Sequence, residues 1–122
     1  MAVASPAIAT ALATSPAFAA DSTYDLGSGN HTASGGLIWL NRSVTVQGSV
    51  TDIGGAGTQV VCDPWANNTE LPHQTRTAVD GTTSYNFTLD GSQWPGGITE
   101  VLVLVIDLHT GYGVDEHDFV RP

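Results

Sequence analysis

Between Ile98 and His109 the chain reads ITEVLVLVIDLH, which at a period of two is apolar on both faces. Ile98, Leu102, Leu104, Ile106 and Leu108 fall on one side, with Glu100 among them, and Val101, Val103 and Val105 fall on the other. A strand buried on both faces reads this way, whereas an antiparallel strand with one wet face alternates apolar and polar residues. This reading puts Leu102, Leu104 and Ile106 in the core and leaves the valine face in need of a separate cover. The cover is an N-terminal arm, a loop such as residues 66–72, or a second copy of the chain in a homodimer through Val101, Val103 and Val105. Fully covered, three valines bury about 4–6 kcal/mol of transfer free energy, a large part of a small domain's stability margin.

The remainder of the chain resolves into short segments separated by turn residues. Leu37 to Leu40 is apolar and Asn41-Arg42 turns the chain. From Ser43 to Ile53, Val44, Val46 and Val50 alternate with Thr45, Gln47, Ser49 and Thr51 before the Gly54-Gly55-Ala56-Gly57 break. Thr58 to Asp63 is a further strand that Pro64 is expected to close, and His73 to Val79 is a weaker one. Asp80-Gly81 marks a turn, after which Tyr85, Phe87 and Leu89 alternate with Asn86 and Thr88; a short strand near Asp118 to Val120 comes last. About seven strands without a helical period predict an all-β fold, a single antiparallel sandwich. The expected core is Trp39, Val44, Val46, Val50, Val61, Tyr85, Phe87, Leu89, Leu102, Leu104 and Ile106.

Three segments of different character follow from composition. Residues 1–19 are Ala-rich, weakly apolar and end in Ala17-Phe18-Ala19, the A-x-A pattern of a cleaved signal peptide, although no Lys or Arg stands before the apolar run Ala7 to Ala13. Residues 20–36 are polar and rich in Gly and Ser and read as a flexible N-terminal arm. Residues 37–122 hold the sandwich. A secreted, extracellular protein is therefore expected, and no second apolar run approaches the ~20 residues that span a bilayer.

Charge narrows the partners. The 122 residues carry three Arg, no Lys and twelve carboxylates, a formal net charge of −9. Nucleic-acid binding needs a basic footprint, and anionic membrane surfaces repel such a chain, so neither partner is expected. The single Cys62 allows no internal disulfide and sits in the apolar run TQVVC, where it reads as a small core hydrophobe, an intermolecular disulfide being the alternative.

Val44 to Gly55, Asp80 to Ser92 and Pro95 to Gly111, VTVQGSVTDIGG, DGTTSYNFTLDGS and PGGITEVLVLVIDLHTG, resemble the strand and turn phrases of bacterial extracellular immunoglobulin-like or prealbumin-like sandwiches. Small secreted proteins of the actinobacterial type carry similar phrases. The resemblance implies extracellular binding, spacing or adhesion and brings no catalytic residues.

The residues that carry chemistry are few. Asp107, His109, Asp115, Glu116, His117 and Asp118 form the densest polar group, and imidazole with carboxylate suits a transition metal while carboxylates suit Ca²⁺. Asp107, His109, Glu116, His117 and Asp118 are thus the candidate metal ligands, without the spacing of a known metal motif. Neither G-x-S-x-G nor a reactive setting for Cys62 is present, so no enzyme and no cofactor are expected. Trp65 and Trp94 lie beside prolines in expected loops, where exposed aromatic rings stack on sugars or anchor a protein. The favoured function is a non-enzymatic extracellular binding domain for a protein or glycan. A metal-binding module and a carbohydrate-binding sandwich using Trp65 and Trp94 are the alternatives.

Overall fold

A computed structural model describes residues 20–122, and the expected signal segment, 1–19, lies outside them. Nine strands are found among the described residues: β1 Ser22–Ser28, β2 His31–Trp39, β3 Val44–Asp52, β4 Thr58–Ala66, β5 Thr69–Glu70, β6 Gln74–Ala78, β7 Gly81–Leu89, β8 Glu100–Asp107 and β9 Tyr112–Val120. They form two antiparallel sheets facing each other, an all-β sandwich. One sheet has the order β1-β2-β3-β7; the other has β9-β8-β4-β5, with β6 also paired to β4.

The segment expected to be a flexible arm supplies β1 and most of β2. Within its Gly- and Ser-rich composition Tyr24 and Leu26 alternate with Thr23, Asp25 and Gly27, and this period of two buries the first pair. Tyr24, Gly35, Gly48 and Tyr85 stand in one row across the four strands. The two glycines leave the space over which both rings extend, and the tyrosine hydroxyls meet at 2.6 Å. A Cβ on Gly48 would come within 2.2 Å of Ser34 O and 3.0 Å of the Tyr24 hydroxyl. Burial is the main reason that both phenols hold their protons tightly, with the Tyr85 hydroxyl pushed up to about 12.

The pleat of β8 is the reverse of the expected one. Val101, Val103 and Val105 are fully buried between the sheets, and Leu102, Leu104 and Ile106 are half-buried on the outer face. The valine face is therefore covered within the chain by the opposing sheet and offers no dimer surface. Register explains the choice. Val103 and Val105 pair with Cys62 and Val60, whereas Leu102 pairs with Asp63 and Asp118, and Leu104 with Val61 and Glu116. Turning this face inward would bury four carboxylates, Glu100, Asp63, Glu116 and Asp118, which costs more than leaving Leu102, Leu104 and Ile106 half wet.

The same parity makes Val60 and Cys62 core residues in place of Val61. Val44, Val46, Val50, Tyr85 and Leu89 are buried as expected, while Trp39 and Phe87 are partly buried against the core. Pro64 does not end β4. Its carbonyl accepts the Leu71 N–H at 2.9 Å, so its missing N–H faces the break between β6 and β5, where no partner needs it.

The edges and one end are tied by polar contacts. Gly27 N–H donates to Asp115 Oδ2 at 2.9 Å across the β1–β9 edge, and Thr83 Oγ1 donates to Thr77 O at 2.9 Å across the β7–β6 edge. At one end the buried Asp52 carboxylate accepts from the N–H groups of Asp80, Gly55 and Gly57 and from Thr58 Oγ1. These donors, the Asp80 N–H first, hold it below the usual carboxylate range.

Candidate functional site

The opening of greatest interest lies at the far end of the β6–β7 edge. Pro72, Gln74, Thr88, Leu89, Asp90, Gln93 and Trp94 line a half-open groove of about 380 Å³. Leu89 is buried at its floor, and the Trp94 ring, 38% exposed, forms part of its wall. The loop carrying Trp94 is pinned by its backbone: Trp94 N–H donates to Gly91 O at 3.0 Å and Gly97 N–H to Trp94 O at 2.8 Å. Gly97 has φ 68° and packs so closely on Arg42 that a Cβ would lie 2.4 Å from the Arg42 Cα. Arg42 returns a bond from Nη1 to Ser92 O at 3.1 Å. Asp90 is anchored as well, accepting from Ser92 N–H at 2.9 Å and from Ser43 Oγ at 3.4 Å. The Ser92 N–H bond comes first among the causes that keep Asp90 below the ordinary carboxylate range, so it faces the groove ionised.

Beyond Thr88 the groove adjoins the outer face of the four-stranded sheet. Thr88 pairs with Thr45, Asn86 with Gln47, Ser84 with Ser49 and Thr82 with Thr51. The hydroxyls of Thr45 and Thr88 lie 3.1 Å apart and those of Thr51 and Thr82 2.9 Å apart. In a chain of net charge −9 these two strands present an uncharged surface of hydroxyls and amides.

Trp65 is placed elsewhere. It is in β4, not in a loop, and is half-buried on the outer face of the five-stranded sheet, with Nε1 donating to Asp63 Oδ2 at 3.2 Å. The two tryptophans singled out in the sequence therefore belong to different surfaces, and only Trp94 lines the groove.

The candidate metal ligands do not converge. Glu116 and Asp118 turn to the outer face of β9, opposite Leu104 and Leu102, while His117 turns to the other face and packs 4.4 Å from the Phe119 ring. Asp107 Oδ1 caps the His109 N–H at 2.8 Å, and its Oδ2 approaches His31 Nε2 at 3.4 Å. Among the described residues no group of three His, Cys, Asp or Glu side chains is arranged to hold a metal ion. Spacing in the chain had grouped residues that the strand period separates.

One cluster has the outline of nucleophile, base and carboxylate. His31 Nδ1 lies 2.6 Å from Thr58 Oγ1, and His31 Nε2 faces Asp107. The Thr58 hydroxyl gives its proton to Asp52 Oδ1 at 2.8 Å, so it accepts from His31 Nδ1–H. Thr58 is also fully buried. A hydroxyl that already donates to a carboxylate and that no substrate can reach is no nucleophile. The cluster instead clasps the two sheets at one end. Cys62 is equally inaccessible, and burial pushes its thiol up to about 12. Trp94 was the one cue to the groove in the sequence; the rest of its lining was not legible, because Gln74, Thr88 and Trp94 come from three separate elements.

Comparison of the chain with protein-family models, curated proteins and solved structures finds no match.

Proposed function

We propose that the protein is a non-catalytic, secreted binding domain of the immunoglobulin-like sandwich type, and that its ligand is a neutral oligosaccharide held in the Trp94 groove. The carrying observation is the half-exposed Trp94 ring set beside Gln74, Gln93, Thr88 and the anchored carboxylate of Asp90. Sugars present apolar C–H faces that stack on aromatic rings and paired hydroxyls that bond to amides and carboxylates. The uncharged Thr, Ser, Gln and Asn face running on from Thr88 favours a neutral chain over an anionic one, since no cation lines the groove. Binding is tested by titrating neutral oligosaccharides, with anionic ones as controls, while following Trp fluorescence. Quenching by a neutral glycan that Trp94→Ala abolishes and Trp65→Ala retains is the expected result. Equal responses in the two variants, or no response to any neutral glycan, would overturn the reading.

A further inference from the structure

The outer face of the five-stranded sheet combines apolar and acidic residues without an arginine, the His73 imidazole lying near Asp63 at its margin. On β8 it shows Leu102, Leu104 and Ile106, half-buried, and on β4 Val61 and the Trp65 ring. Carboxylates are interleaved with them. In one row Glu70, Trp65, Glu100 and Val120 stand side by side, and in the next come Asp63, Leu102 and Asp118.

These carboxylates crowd one another. Glu100 shares a hydrogen bond with Asp118, the first of the causes that raise it above its ordinary range. Burial and then the neighbouring Glu70 carboxyl push Asp63 up to about 6, against the pull of Trp65 Nε1–H and the His73 imidazole. Asp63 Oδ1 is shielded from solvent and has no hydrogen-bond partner. Like charges set close together on one sheet face lower stability.

No arginine of the chain relieves them. Arg42 is bonded to Ser92 O, Arg76 lies 4.3 Å over the Phe87 ring inside the sandwich, and Arg121 is held by Leu40 O and Ile98 O beside Trp39. The face is thus an apolar stripe with a negative charge that no arginine offsets and an aromatic ring beside it. An aromatic face among carboxylates is the setting that attracts ammonium and guanidinium groups.

We propose that this face docks a lysine- and arginine-rich amphipathic segment of a partner protein, its apolar residues lying on Leu102 and Leu104 and its cations entering among Asp63, Glu100 and Asp118 beside Trp65. Charge complementarity selects this occupant. A second copy of the chain, itself of net charge −9, would set the same carboxylates against these, and an anionic membrane is repelled in the same way. A neutral glycan leaves the carboxylate pairs as they are. The proposal stands independently of the Trp94 groove.

The test is fluorescence anisotropy of a labelled peptide of alternating Lys and Leu against the full chain, with alternating Glu and Leu and alternating Lys and Ser peptides as controls. The Lys-Leu peptide is expected to bind, and the other two to bind at least about tenfold more weakly. Raising the ionic strength and the Glu100→Gln/Asp118→Asn double variant should each weaken it by on the order of tenfold, because both act on exposed charge pairs. Leu104→Ser should weaken it as well, and Trp94→Ala should leave it unchanged. The double variant removes a carboxylate pair and keeps the strands, so its urea stability is expected to equal or exceed that of the parent. Equal binding of the Glu-Leu peptide, no effect of the double variant, or self-association through this face in sedimentation velocity would overturn the proposal.

Discussion

Replacing Val103 by Ala removes two methyl-sized groups from a side chain that is fully buried. At ~0.8 kcal/mol for each, the lost transfer free energy is ~1.6 kcal/mol. The space left is closed in by two sheets, which adds a cavity contribution and brings the expected loss to about 2.5 kcal/mol. Leu104→Ala deletes more, three carbons in place of two, from the adjacent residue of the same strand. Leu104 is only half-buried, on the outer face, so about half of the ~2.4 kcal/mol transfer term applies, roughly 1.2 kcal/mol. Solvent fills the space, and no cavity contribution is added. The smaller deletion should therefore cost twice the larger one. Urea unfolding followed by Trp fluorescence measures both, with unchanged slopes needed for a fair comparison. On heating, the Val103 variant should melt about 10–20 °C below the parent and the Leu104 variant about 5–10 °C below it. A Leu104→Ala loss equal to or greater than that of Val103→Ala would show that the leucine face is the core and would refute the pleat described above.

The tyrosine row predicts non-additivity: Tyr85→Phe strands the Tyr24 hydroxyl and should cost about 1–3 kcal/mol, whereas the double change to Phe should cost less than the two single losses together in urea titrations. Gly48→Ala drives a Cβ into Ser34 O, and near-UV circular dichroism should show loss of native packing or a melting point lowered by more than ~10 °C. Stability should be greatest in mildly acidic solution. Asp52 and Asp90 titrate lower folded than unfolded, so their contribution is present above the unfolded value and disappears as pH falls through the folded one. Asp63, at about 6, and Glu100 are raised, so the folded state binds more protons and stability declines as pH rises from about 4 to about 6. Calorimetry across this range should show the decline, and Asp63→Asn should reduce it. Cys62 should resist a thiol reagent in the native protein and react at a rate that follows global opening in urea, while rapid native labelling would contradict its burial.

Alternation and turn chemistry determined much of this fold from the chain alone. Val44, Val46 and Val50 opposite Thr45, Gln47, Ser49 and Thr51 specify β3 and its wet face with no help from neighbours, and Asp80-Gly81 announces β7. A strand apolar on both sides, such as β8, specifies only that it is central. Its own carboxylate, Glu100 on the leucine face, was a cue to the pleat. The deciding weight came from Asp63, Glu116 and Asp118, which join that face only through pairing with β4 and β9. The same holds for β1, whose two apolar residues are too few to mark a strand until Tyr24 reaches Tyr85 over two glycines. Trp65 and Trp94 were conspicuous as residue types. Only the tertiary structure sent one to a groove and the other to an acidic sheet face, because a surface is assembled by residues far apart in the chain and local patterning carries no record of which strands will pair.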